Sequence, residues 1–186
     1  MEKVEVTDFA YKYAKVVEQW CKQEVYKDFT LNVKLDWSPK RRSSRGGMYH
    51  DGPGINIAMS QAWPNSAGYT YRFHEYASYD ADKIIGGFYS TDPYHKVEAV
   101  VLHEIAHALQ FVSYKKNNIT CKPHGPIFKN FYKRLRTQFL NHKLPEQVTL
   151  KKDYDDYVAS LNNKNIVTMK EILEITRKNY LAAKSY

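Results

Sequence analysis

The chain has only two cysteines in 186 residues, Cys21 and Cys121, and neither belongs to a CxxC pair. That excludes a disulfide-stapled scaffold and a cysteine-built zinc ribbon, and it fits free thiols in a reducing, cytoplasmic compartment. No run approaches the roughly 18 apolar residues needed to span a bilayer, so no membrane partner is expected. The opening stretch MEKVEVTDFAYKYAK carries charges every few residues and lacks an apolar centre, so no secretory leader is expected and the protein is not expected to be secreted. Acidic residues are also short: 20 Asp+Glu face 28 Lys+Arg, a net charge of +8. Such an excess suits a polyanionic partner such as nucleic acid, and it equally suits an ordinary lysine-rich surface.

What the chain does have is apolar and aromatic content. Hydrophobic residues make up 43% and aromatics 15%, with 16 tyrosines, enough to bury a core for one domain and a small appendage. Thr7 reads as the N-cap of a first helix. In it Phe9, Tyr13, Val17, Trp20 and Cys21 recur at helical spacing to about Tyr26. TLNVKLDW (Thr30–Trp37) alternates and reads as a half-buried strand. MYHDGPGINIAMS reads as a hairpin about Gly52-Pro53-Gly54, and YTYRFHEYASY with IIGGFYS as a second pair about Asp80-Ala81-Asp82. Asp92-Pro93 is a capping pair that opens a helix to about Tyr114, and HGPIFKNFYKRLRTQFL is a further helix. After Pro145 the chain is polar until TMKEILEITRKNYLAAK. There Thr168 with Glu171 forms a capping box and Val167 with Ile172 a hydrophobic staple. The first half is thus a helix and a small, mainly antiparallel sheet, and the second half is helical.

The segment VLHEIAHALQF (Val101–Phe111) is the chemically informative one. On a helix His103 and His107 project from one face, a spacing that lets two imidazoles bind one zinc ion. Glu104 is rotated aside, where its carboxylate can act on a water polarised by that ion. With seven histidines in 186 residues, chance gives on the order of 0.01 such matches. Nearly every neighbour from Val97 to Val112 is apolar, and burying these three side chains uncompensated would cost several kcal/mol. A metal supplies the compensation. The candidate for a third ligand is His124, at a loop-to-helix junction shaped by Gly125 and Pro126. No glutamate occurs between Glu104 and Glu146, so a downstream glutamate ligand is disfavoured. Cys121 in CKPH is an alternative or additional ligand. Four protein ligands would close the site and leave Glu104 without a role, so three histidines plus water is the preferred set.

These residues, VVLHEIAHAL (Val100–Leu109) followed by HGPIFK (His124–Lys129), resemble the SprT-like metalloprotease family, which includes the Spartan-type proteases of DNA–protein crosslinks. RGGMYHDGPGINIAMS (Arg45–Ser60) is similar to that family's turn-and-strand element. The resemblance implies one Zn2+ per chain on His103, His107 and His124, with Glu104 as catalytic base. It implies an α+β fold, a compact zincin-like (minigluzincin-type) domain whose small, mainly antiparallel sheet packs on helices that include the HExxH helix. Residues 1–145 would form that domain and 146–186 a helical appendage. It further implies peptide-bond hydrolysis, often of proteins attached to DNA, hence a role in DNA repair. Two features depart from the family's pattern: there is no CxxC for a terminal zinc ribbon, and the stretch from Ser60 to His103 is long.

Further candidates follow from residue chemistry. Tyr114, seven residues past His107, is a candidate oxyanion donor, although most of 16 tyrosines must be packing residues. Lys40, Arg41, Arg42 and Arg45 are candidate contacts to single-stranded or damaged DNA, with Trp37, Tyr49 and Trp63 near enough in sequence to stack on bases. A second group, Lys129, Lys133, Arg134 and Arg136, reads as a solvated face. PKRR also matches a nuclear targeting pattern, an alternative address in a eukaryotic source. A protein substrate would add as a strand to a sheet edge, with GINIAMS and IIGGFYS as the two candidate edges. Two competing readings stand beside a DNA-linked endopeptidase: a zinc peptidase with a dedicated protein substrate, and a non-catalytic DNA-binding module with structural zinc.

Overall fold

The computed structural model describes residues 3–38, 45–48, 54–60, 70–117 and 122–162. The chain forms two compact units, Met1–Pro145 and Glu146–Tyr186. In the first, helix α1 (Lys3–Glu24) precedes strands β1 (Asn32–Ser38), β2 (Arg45–Met48), β3 (Gly54–Ser60), β4 (Tyr71–Phe73) and β5 (Phe88–Ser90). Helices α2 (Tyr94–Asn117) and α3 (Pro126–Phe139) follow, with a short 3-10 turn at Asn141–Lys143. The unit is α+β, and no described helix is long and apolar enough to cross a membrane.

Helix α2 is the centre of the packing. It lies against α1 and α3 and against β2 and β3. Val97, Val101, Leu102, Ile105, Ala106, Ala108 and Leu109 are all fully buried along it. A helix apolar on nearly every side must be enclosed on nearly every side, which its four neighbours achieve. Its start is fixed as the sequence leads one to expect: Asp92 Oδ1 accepts the Tyr94 N–H at 2.8 Å, and Ser90 Oγ accepts the Asp92 N–H at 3.0 Å. Against α2, helix α1 turns the stripe Val6, Ala10, Ala14, Val17 and Cys21 inward. Because that stripe begins at Val6, α1 starts at Lys3 and Thr7 lies inside the helix rather than capping it. Cys21 is a buried free thiol, and burial pushes its pKa up to about 12.

The sheet is mixed. Its order is β1-β3-β2, with β2 antiparallel to β3 as a hairpin but β1 parallel to β3 in the register Asn32↔Gly54 to Ser38↔Ser60. The expected antiparallel character therefore holds for only one of its two pairings. Alternation along TLNVKLDW reports a half-buried strand but carries no information on its direction. The central place of β3 also removes GINIAMS as a substrate edge, because strands already pair with both of its sides. The second sheet is the antiparallel pair β4-β5, in which Phe73 and Phe88 stack at 5.0 Å. All three residues of β5 are buried.

In the second unit residues 147–162 are helical. This stretch reads as merely polar in sequence, yet local interactions suffice. Glu146 accepts the backbone N–H groups of Val148 and Thr149 and the Thr149 hydroxyl. Lys151–Asp155 and Lys152–Asp156 pair one turn apart at 2.7 and 2.6 Å. The capping box Thr168/Glu171 and the staple Val167/Ile172 lie outside the described residues.

The entry to β1 is held by an ion cluster around the buried Glu18. Glu18 Oε1 accepts the Leu31 N–H at 3.1 Å, while Lys15 Nζ donates to Glu18 at 2.7 Å and to the Leu31 carbonyl at 3.0 Å. Lys22 adds a contact at 3.2 Å. Burial pushes the Glu18 carboxyl upward, but Lys15, the Leu31 N–H and Lys22 together outweigh it and hold the group below its ordinary 4.5. Glu18→Ala should destabilise the fold by about 1–3 kcal/mol, since it leaves the buried Leu31 N–H without its acceptor. A carboxyl whose folded value is depressed stabilises above its unfolded value and loses that contribution as pH falls through the folded value. The gap between wild type and Glu18→Ala in urea denaturation should thus be full at about pH 7 and shrink at about pH 3.

Candidate metal centre

His103 and His107 stand one turn apart on α2, their ring centroids 5.0 Å apart. His124 reaches them from the turn before α3 and holds a left-handed backbone, φ 55°. Histidine tolerates that region better than most residues, at a cost on the order of 1 kcal/mol. The turn is fastened on both sides. The Lys122 carbonyl accepts the Gly125 N–H at 3.0 Å and the Gln110 side-chain amide at 2.9 Å, and Gln110 belongs to α2. Pro126 then opens α3 at a position where a missing N–H does no harm.

The result is convergence. His124 Nε2 lies 3.0 Å from His103 Nε2 and 3.1 Å from His107 Nε2, and all three ligand atoms fall within 4.8 Å of one another. A tetrahedral ion with metal–nitrogen bonds of 2.0–2.1 Å spaces its nitrogens about 3.4 Å apart. On the far side of the helix rings, His103 Nδ1 sits 3.1 and 3.2 Å from the two Glu75 oxygens, and His107 Nδ1 sits 3.2 Å from Gln110 Oε1. Carboxylate and amide oxygens only accept, so each Nδ1 carries the hydrogen and each Nε2 presents a lone pair. Lone pairs from both helix histidines thus face the His124 nitrogen across hydrogen-bonding distance. A cation between them answers that repulsion, so the three histidines could hold a metal ion. Among the described residues, no fourth His, Cys, Asp or Glu joins them. Cys121 lies outside the described residues.

Phe128, fully buried, forms the floor, its ring 4.9, 4.3 and 4.8 Å from those of His103, His107 and His124. Tyr76 stacks on His124 at 4.9 Å and only 10° from parallel, with its edge open to solvent. Burial lowers His107 to about 4, helped by His103, and it lowers His124 as well. Burial also pulls on His103, but the Glu75 carboxylate outweighs it and holds that imidazole above its usual value. Glu104 is buried, and no donor from the described residues is seated on its carboxylate. Burial pushes it up to about 7, and a cation on the neighbouring histidines would draw it back.

Of the residues expected from sequence, His103, His107 and His124 are brought together, and Glu104, next to His103 on α2, is buried. Tyr114 stands two turns beyond His107, about 10 Å along the helix axis, whereas Tyr76 packs on the cluster itself. Lys40, Arg41, Arg42, Tyr49 and Trp63 lie outside the described residues, and Arg45 opens β2 opposite Ala58. The α3 group divides: Lys129 and Arg134 are exposed, while the other two are not free charges. Arg136 is buried, Lys133 pairs with Asp82 at 3.3 Å, and Arg134 reaches the Glu24 carbonyl at 3.3 Å. Sequence reasoning missed Glu75, Gln110 and Tyr76. Gln110 had a readable signal, lying three residues beyond a ligand histidine on one helix face. Glu75, 28 residues before His103 in a loop, had none.

The SprT-like family's model matches residues 14–150 of the chain. Curated proteins and solved structures gave no match. If the three imidazoles hold one divalent ion, saturating metal should raise stability by RT ln(1 + [L]/Kd), about 2.7 kcal/mol at a hundredfold excess over Kd. His124→Ala should lose that gain, so that its own unfolding midpoint no longer moves when metal is added.

Proposed function

The chain belongs to the SprT-like family, and from that premise we propose that it is a zinc-dependent endopeptidase, a hydrolase of zincin-like fold that acts on proteins bound or crosslinked to DNA. The observation that carries the reading is the convergence of three imidazole nitrogens, with the buried carboxylate of Glu104 next to His103 on the same helix. His103, His107 and His124 would hold one Zn2+ and leave its fourth position to water. Zinc bound there supplies Lewis acidity to a scissile carbonyl and eases deprotonation of water. Glu104 takes the proton from the attacking water and returns it to the leaving amine. Its burial, with no donor from the described residues seated on it, keeps the carboxylate free for that exchange. The substrate strand would lie along β2, which packs against α2 and, among the described residues, is paired on one side only. Tyr76, exposed and stacked on His124, would offer an aromatic surface to an incoming side chain.

The net charge of +8 and the family premise support a DNA-bound substrate. One observation favours a second reading, a peptidase with a dedicated protein partner and no DNA link: of the four α3 cations Arg136 is buried and Lys133 pairs with Asp82, which leaves Lys129 and Arg134 as the exposed charges of that helix. In a cleavage assay of the zinc-loaded chain, single-stranded DNA should stimulate digestion of a basic DNA-binding protein, and Glu104→Gln should abolish it with zinc retained. Removing a general base of this kind lowers the rate about 10²–10⁴-fold. Cleavage indifferent to DNA would select the second reading. No cleavage, with tight salt-dependent DNA binding and full zinc, would select a structural-zinc module instead.

A further inference from the structure

Glu75 lies in the connection between β4 and β5, and that connection is tightly constrained. Gly86 and Gly87 donate to the carbonyls of Asp82 and Ala77, both at 2.9 Å. A Cβ on Gly86 would collide with the carbonyl oxygens of Ser78 and Asp82, and one on Gly87 with that of Phe73. The loop so held turns the Glu75 side chain inward, leaving it 6% exposed. Three groups converge on its carboxylate: the Tyr76 N–H at 3.0 Å, the His103 Nδ1–H at 3.1 and 3.2 Å, and the Tyr132 hydroxyl at 2.7 Å. Tyr132, fully buried on α3, accepts in turn from Arg136 Nη1 at 3.2 Å. Arg136 is 1% exposed, and its other acceptors are neutral: the Asn141 amide oxygen at 3.0 Å and the Gly86 carbonyl at 3.4 Å. Among the described residues, the anion nearest to this guanidinium along hydrogen bonds is Glu75, one phenol away.

A buried carboxylate and a buried guanidinium held apart by a tyrosine are a poor way to stabilise a fold, since well-packed apolar residues often do as well or better. The chain Arg136–Tyr132–Glu75–His103 ends, however, on a ligand histidine. We propose that Glu75 is the positioning residue of the metal centre: it fixes His103 as the Nδ1–H tautomer, aims its Nε2 at the ion and supplies the negative charge that strengthens the bond, while Tyr132 and Arg136 hold Glu75 in place. This rests on the metal-centre reading. Gln110 performs the same orienting task for His107 with a neutral amide, so the two helix ligands differ in support: one leans on a charge, the other on a dipole. Partners of this kind typically alter metal affinity 10–100-fold.

The test is chelator competition for Zn2+ with full-length wild type, Glu75→Gln and Tyr132→Phe, alongside long-range 1H–15N spectra of the metal-free wild type. Glu75→Gln keeps shape and an acceptor oxygen but removes the charge. It should stay folded and bind zinc about 10–100-fold more weakly, and Tyr132→Phe should shift affinity in the same direction by less. The spectra should show the His103 proton on Nδ1, a property that a merely structural role for Glu75 does not set. Zinc affinity of folded Glu75→Gln within about twofold of wild type, or a His103 proton on Nε2 with none on Nδ1, would overturn the proposal. If Glu75→Gln fails to fold, the Tyr132→Phe affinity and the wild-type spectra decide it. Wild type that binds no zinc sinks the metal-centre reading itself, whereas wild-type binding with unchanged variants sinks only the role of Glu75.

Discussion

Two imidazole nitrogens presenting lone pairs to a third at 3.0 and 3.1 Å are the constraint around which this protein is organised. Such a cluster is repulsive unless a cation or shared protons lie within it, so the fold must hold it in place. Four features do so. Helix α2 is enclosed by α1, α3, β2 and β3, so the two histidines it carries cannot swing away together. The left-handed His124 backbone and the Gln110–Lys122 bond set the third ring. Phe128 packs beneath all three. Glu75 and Gln110 fix which nitrogen of each helix ring faces inward.

The same enclosure sets the electrostatics. Burial drives His107 and His124 down, which keeps them neutral as ligands must be, and drives Glu104 up toward neutrality. Glu75 opposes burial at His103 alone. The site is therefore anionic on one flank and neutral on the other, while Arg136 balances the charge one residue deeper.

The helical period made the site legible. His103 and His107 could be placed on one face, and the Gly-Pro junction marked His124 as a residue that a helix start could aim. Strand alternation and the Asp92 cap were similarly plain. What sequence could not convey was anything set by tertiary contact. The parallel pairing of β1 with β3 is one case, because a period of two is the same in either direction. The central place of β3 is another, and it excludes a strand that looked like an available edge. Arg136 sits among basic neighbours in sequence yet points into the core, because α3 presents Phe128, Tyr132, Leu135 and Arg136 on its buried side. Tyr76 and Glu75 reach the histidines across a loop whose path depends on Gly86 and Gly87, a dependence visible only once the facing carbonyls are known.

The central claim is that three histidines hold one zinc ion and leave a position open. X-ray absorption spectroscopy of the zinc-loaded chain tests it most directly, because it counts the atoms around the metal. The account predicts three imidazole nitrogens at about 2.0 Å and one further light atom at a similar distance, with no sulfur. A sulfur scatterer at about 2.3 Å would contradict it. Cys121 would then close the site, Glu104 would have no water to act on, and the zinc would be structural.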